Sequence, residues 1–158
     1  SEWFYPVIYV IAGVKSASLN PEDLVTQLGR GLKVTDIEKA LTDLIALGLL
    51  EEKKGRLVQT QGAIGTKNDI QNIAIQEFHR HMIGRAAESL ALPVMEREIG
   101  GLTVAIPLSE YSTVKKRIQA FRTELNEYLS QFDEGHRVYQ LNLQLFPVTN
   151  TLGKEKSK

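Results

Sequence analysis

Apolar residues at Ile37, Ala40, Leu41, Leu44 and Ile45 recur at i, i+3, i+4, i+7 and i+8, which draws one buried stripe along a helix. Thr35-Asp36-Ile37-Glu38 has the form of a capping box, with Thr35 as the cap and Glu38 reaching back to it. Gly48 marks the helix end. There the period changes. Leu49 to Glu52 and Leu57 to Thr60 read as short strands around a Lys53-Lys54-Gly55-Arg56 turn. Upstream, Trp3 to Lys15 reads as a first helix, with Pro6 tolerable in its first turn. Asn20-Pro21-Glu22-Asp23 then supplies a cap, a proline suited to the first helical position and two acids at the positive dipole end. That helix runs to about Leu28, where Gly29 and Gly31 punctuate the turn. Helix, helix, turn, helix, hairpin is the order of a winged helix-turn-helix, predicted here over residues 1–62.

Beyond it the polar stretch 63–69 is expected to be a linker. A long helix follows from about Ile70 to Leu90, with Ile70, Ile73, Ala74, Phe78, Met82, Ala86 and Leu90 near helical spacing and Pro93 closing it. Leu102 to Ile106 reads as a short strand, and Ser109 to Phe132 as an amphipathic helix with Tyr111, Val114, Ile118, Phe121, Leu125, Tyr128 and Phe132 on one face. Residues 137–146 alternate. Tyr139, Leu141, Leu143 and Leu145 fall on one side, and Gln140, Asn142 and Gln144 on the other. Strand, helix, strand predicts a βαβ crossover. The expected fold is therefore α+β: a winged helix-turn-helix, then a long helix and a small βαβ unit over residues 70–150, with a disordered tail over 151–158.

A length of 158 residues suits one domain or two small ones, and 42% apolar with 24% charged residues is ordinary for a globular chain. The absence of cysteine excludes a disulfide framework, a thiolate metal site and a cysteine nucleophile, and it fits a cytoplasmic protein. The longest apolar run, Val7 to Val14 with Tyr9 inside it, is too short to span a bilayer, and no basic segment precedes it as in a signal peptide. No membrane partner is expected. Because the chain opens at Ser1 without a methionine, we expect a fragment whose upstream domain is missing.

Charge alters the picture of the winged helix. The net charge is zero, whereas a protein held to DNA by phosphate contacts usually carries a basic surplus. Residues 33–47 hold Lys33 and Lys39 against Asp36, Glu38 and Asp43, with acids in the turns that a groove-reading helix presents to bases. The turn is more basic, through Lys53, Lys54 and Arg56. Candidate DNA-binding residues are thus Lys33, Thr35, Lys39, Thr42, Lys53, Lys54 and Arg56. The competing reading is a winged helix used for packing or protein contact.

Elsewhere the candidates are few. His79 and His81 lie two residues apart and so point about 200° apart on a helix, too far for one metal. The amide stripe Gln140, Asn142 and Gln144 suits a small-molecule ligand or a dimer face. Two strands alone are marginal and leave edges, so pairing with a second copy is expected to complete the sheet. The basic cluster Lys115, Lys116, Arg117 and Arg122 reads as a solvated helix face. No P-loop, GxGxxG, GxSxG or HExxH motif is present, and no cofactor or catalytic residue is expected.

Several short motifs carry a resemblance. They are Glu2-Trp3-Phe4-Tyr5, Leu47-Gly48-Leu49-Leu50, Phe78-His79-Arg80-His81-Met82, Arg97 with Gly100, Gly101 and Thr103, and Val138-Tyr139-Gln140-Leu141-Asn142-Leu143-Gln144-Leu145-Phe146-Pro147. Through them nearly the whole chain resembles the C-terminal domain of a large uncharacterised family of bacterial transcriptional regulators, in which it follows an N-terminal helix-turn-helix. The resemblance implies a class and no ligand or catalytic residue. The expected function is a non-enzymatic regulatory module that dimerises and senses a protein or small-molecule effector, with DNA held by the missing upstream domain. The alternatives are direct DNA binding by the winged helix and a protein-interaction scaffold unrelated to transcription.

Overall fold

The computed structural model describes residues 3–60 and 68–153, apart from the side chains of 68–75 and 77. By internal contacts it divides into two units, Ser1–Glu98 with Phe132–Gln140, and Ile99–Gln131 with Leu141–Lys158. The architecture is mixed helix with one small antiparallel sheet, in the α+β class.

The core of the first unit is built by three helices. α1 (Phe4–Ala12) contributes Phe4, Ile8, Ile11 and Ala12, α2 (Pro21–Leu28) contributes Leu24 and Leu28, and α3 (Val34–Ala46) contributes Ile37, Ala40, Leu41 and Leu44. Leu50 joins them from strand β1 (Leu50–Lys53), and Met82 joins from α4 (Asn68–Glu88), with Phe78 packed alongside. Burying each large apolar side chain of this kind contributes roughly 1.5–3 kcal/mol before the entropy cost of ordering it. Ile45 departs from the stripe and is 45% exposed.

The helix ends explain the boundaries. α1 stops at Ala12, short of Lys15, because the Gly13 amide turns to Val10 O at 3.0 Å. That leaves Tyr9 O to accept from Gln59 Nε2 at 2.7 Å. At α2 the expected cap forms, with Asn20 Oδ1 accepting from the Glu22 amide at 2.9 Å. At α3 the cap is not Thr35 but Lys33, whose backbone is extended. Asp36, at the third helical position, accepts from the Lys33 amide at 2.8 Å and takes the part expected of Glu38. Thr35 is therefore an exposed first-turn residue.

α3 ends as its glycine requires. Gly48 has φ +71° and donates to Ile45 O at 2.9 Å, while Leu49 donates to Leu44 O at 2.9 Å, the two bonds of a Schellman motif. The chain then enters β1, which pairs antiparallel with β2 (Arg56–Gln59) in the register Leu50 to Gln59 and Lys53 to Arg56. Lys54 and Gly55, at φ 53° and 74°, form the two-residue connection, as a turn with two left-handed residues demands.

The second half departs from expectation. α4 opens at Asn68, inside the stretch expected as a linker, and ends at Glu88 in a 3-10 turn, Ser89–Ala91. Residues 61–67 and 154–158, which hold the rest of that linker and most of the expected tail, lie outside the described residues. α5 (Tyr111–Leu129) forms, but none of its residues is buried, and Val114, Ile118 and Leu125 are only half covered. The βαβ crossover is not present. Residues 102–106 and 137–146 carry no strand, and among the described residues β1 and β2 are the only strands. Alternation makes a face but supplies no ladder partner, and Leu102 is left 85% exposed.

Ile37→Ala should destabilise the first unit by about 2–5 kcal/mol, because Ile37 is completely enclosed. Ile45→Ala, on the same helix but half in water, should cost under about 1 kcal/mol. Urea unfolding followed by circular dichroism measures both.

Candidate functional site

The seven residues proposed for DNA contact lie on α3 and the hairpin, and most of them are already engaged. Lys39 Nζ donates to Asp43 Oδ2 at 2.7 Å and to the Tyr5 hydroxyl at 3.3 Å. Tyr5 in turn donates to the same Asp43 oxygen at 2.7 Å, which ties α1 to α3. The hydrogen bond from Lys39, and then that from Tyr5, hold the Asp43 carboxyl below the ordinary carboxylate range. Asp43 and then Tyr5 correspondingly raise the Lys39 ammonium above its usual value. Thr42 donates its hydroxyl to Glu38 O at 2.9 Å, within its own helix.

On the hairpin, Lys53 pairs with Glu51 at 2.7 Å. Arg56 turns inward. Its guanidinium donates to Val14 O at 2.7 Å and also to Lys15 O, so it satisfies carbonyls beyond the end of α1. Lys33, Thr35 and Lys54 remain exposed, with two of the three carrying charge. The geometry thus gives this face two open cations, and sets Lys39, Lys53 and Arg56 against partners of their own.

The amide triplet is not assembled on one strand. Gln140 falls in the first unit, while Asn142 and Gln144 fall in the second. Asn142 is half-buried and Gln140 and Gln144 are exposed, and the intended inner residues Tyr139, Leu141 and Leu143 are exposed as well. The two faces predicted by alternation are therefore not separated into a covered side and a wet side.

A cleft of about 180 Å³ in the first unit was not anticipated. It is lined by Trp3, Arg30, Arg80, His81, Gly84, Arg85 and Glu88. The Arg85 guanidinium lies 4.4 Å from the centroid of the buried Trp3 ring, a cation–π contact. Arg30 pairs with Glu88. That hydrogen bond raises the Arg30 guanidinium and lowers the Glu88 carboxyl. Burial, and next the like charge of Arg30, press Arg85 down from its usual value, with Glu88 opposing them. The signal available in the sequence was His81, Gly84, Arg85 and Glu88 at i, i+3, i+4 and i+7, one face of α4. Arg30 is brought to it from a turn some fifty residues away in sequence, which no spacing rule reveals.

Among the described residues no group of three or more His, Asp or Glu side chains is placed to hold a metal. Among them, too, no helix is long and apolar enough to cross a membrane. A family model described as a domain of unknown function, DUF4423, matches residues 1–148. No curated protein and no solved structure matches the chain.

The Tyr5, Lys39 and Asp43 cluster predicts a pH dependence. Asp43 is depressed in the folded state, so its contribution is present above the ordinary carboxylate pKa and is lost as pH falls through the folded value. Thermal melts between neutral pH and pH ~3 should show a shallower acid-side fall for Asp43→Asn than for the parent chain. Parallel curves for the two would remove Asp43 from the account.

Proposed function

The chain belongs to the DUF4423 family, a domain of unknown function, and we propose that it is a non-enzymatic regulatory module of a bacterial transcriptional regulator, one that dimerises through its C-terminal half. The observation that carries this reading is α5. A helix of 19 residues has no buried side chain, yet it presents Tyr111, Phe121 and Tyr128 to solvent, with Phe121 51% exposed. Isolated helices of this length are marginal in water, and most helical stability comes from packing an apolar face. Leu102 and Leu108 add to the exposed apolar surface of the same unit. Extended apolar surface on a soluble chain marks an association site, and a second copy offers the same surface in return.

The first unit supports the regulatory part of the reading. The order of α1, α2, α3 and the β1–β2 hairpin, with α3 buried along one stripe, supports reading this unit as a winged helix-turn-helix. On the proposed reading it acts as a packing or partner-contact module. Lys39 is neutralised by Asp43, Arg56 is turned into the fold and Lys53 is paired with Glu51, so the cations that phosphate contact needs are scarce. DNA would then be held by another domain of the regulator.

Sedimentation velocity across the micromolar range should show a reversible dimer, and Phe121→Glu should weaken it at least tenfold without unfolding α1–α3. The same samples should show no salt-dependent affinity for duplex DNA. A monomer throughout would defeat the dimer reading. DNA binding that disappears on changing Lys33 and Lys54 to Glu would favour direct DNA contact by the winged helix instead.

A further inference from the structure

We propose that α5 pairs antiparallel with α5 of a second copy, in a register where Ile118 meets the partner's Phe121 and Arg117 meets the partner's Glu124. The proposal deepens the dimer reading and rests on it, naming the surface, the orientation and the contacts.

The spacing along α5 comes first. Tyr111, Val114, Ile118, Phe121, Leu125 and Tyr128 are separated by three and four residues in strict alternation, the a and d positions of a seven-residue repeat. Such a narrow stripe is the seam of a two-stranded coil, whereas a helix lying on a core shows a broader one. Tyr111, Phe121 and Tyr128 on this seam are exposed, and Val114, Ile118 and Leu125 are half covered. Much of the seam therefore still faces water.

A seam of this spacing can be matched to a copy of itself end for end. Turning one helix about a point between Gln119 and Ala120 sets Tyr111 on the partner's Tyr128, Val114 on the partner's Leu125 and Ile118 on the partner's Phe121. A two-fold axis through that point makes each contact occur twice, as an isologous interface requires. Apolar spacing alone would also permit parallel helices. Charge fixes the direction.

Lys115, Lys116 and Arg117 lie in the N-terminal half of α5, and Glu124 and Glu127 in its C-terminal half. Parallel helices would lay basic half beside basic half, and antiparallel helices lay basic beside acidic. The residues at the seam's edge sharpen this. Arg117 and Glu124 each stand just before an a position, so they flank the seam on the same edge, where interhelical ion pairs form. Antiparallel pairing brings Arg117 to the partner's Glu124, and by symmetry Glu124 to the partner's Arg117. Both side chains are exposed, and among the described residues neither takes part in an ion pair. On the other edge the register faces Lys115 with the partner's Arg122, but Lys115 lies over its own Tyr111 ring, 5.6 Å from the centroid. Parallel pairing would match Glu110 with the partner's Lys115. It would also set Arg117 beside the partner's Arg122, and it would leave both acids of the C-terminal half without a cation.

The seam is only about 27 Å long at ~1.5 Å per residue, too short to hold a coil by itself. Leu102 and Leu108, 85% and 80% exposed in the same unit, widen the apolar surface that a second copy can cover.

Charge reversal on the intact chain tests the register. Arg117→Glu alone sets acid against acid at both symmetry-related contacts, and Glu124→Arg alone sets base against base. Each should weaken the dimer about tenfold in sedimentation velocity at low salt, and added salt should narrow the difference. Circular dichroism should show both variants folded, because both positions are exposed. An equimolar mixture of the two variants discriminates most sharply. In a mixed dimer the introduced glutamate meets the introduced arginine, while the native Glu124 meets the native Arg117. The mixture, and the double variant Arg117→Glu/Glu124→Arg, should therefore associate as tightly as the parent chain. Single reversals that leave the affinity unchanged, or a mixture no tighter than either variant alone, would overturn the register and leave the dimer standing on another surface. A parent chain that is monomeric at every concentration would remove the dimer and the register together.

Discussion

The first unit depends on one packing contact, in which Ile37, Ala40, Leu41 and Leu44 of α3 meet Ile8 and Ile11 of α1 and Leu24 and Leu28 of α2 in a single core. Several polar contacts around that core hold its helices in place. Asn20 and Asp36 satisfy the open amides at the starts of α2 and α3. Arg56 and Gln59 reach from β2 to carbonyls in and just beyond α1, and the Schellman turn at Gly48 delivers the chain into β1. Each bond is worth on the order of 1 kcal/mol net, so none of them could order the helices without the apolar contact, yet together they fix the geometry it adopts.

The same constraint, applied to the second unit, gives the opposite outcome. Its long helix has an apolar face, but none of its residues is buried. The flanking segments are rich in leucine and valine, and most of these stand in solvent. Burial drives folding in proportion to the apolar area removed from water, and here much of that area is still available. Coverage by a second copy would let α5 gain from association what the first unit gains internally. On the proposed reading, the order of the second half would then depend on the oligomeric state.

What the sequence made legible was local. Asn20-Pro21 set the start of α2 and Gly48 the end of α3, because caps and left-handed glycines act within one turn. The Thr35–Glu38 pair was misleading since the helix starts two residues earlier, with Lys33 at the cap and Asp36 in the part given to Glu38. Residues 137–146 alternate cleanly, yet a strand is a relation between two segments, and alternation in Leu141 and Leu143 names no partner. The candidate DNA residues were identified by charge alone. Charge cannot reveal that Arg56 points inward or that Tyr5 and Asp43 bracket Lys39. The cleft was invisible for the same reason: Arg30 and Arg85 become neighbours only when α2, α3 and α4 are folded together.

The central claim is that the apolar surface of the second unit is covered by another copy of the chain. Amide hydrogen exchange, read segment by segment at a low and a high protein concentration, tests it most directly. The account predicts that protection of α5 rises with concentration while that of α3 stays constant, since α3 is stabilised by its own core. Protection of α5 that is the same at both concentrations would contradict it.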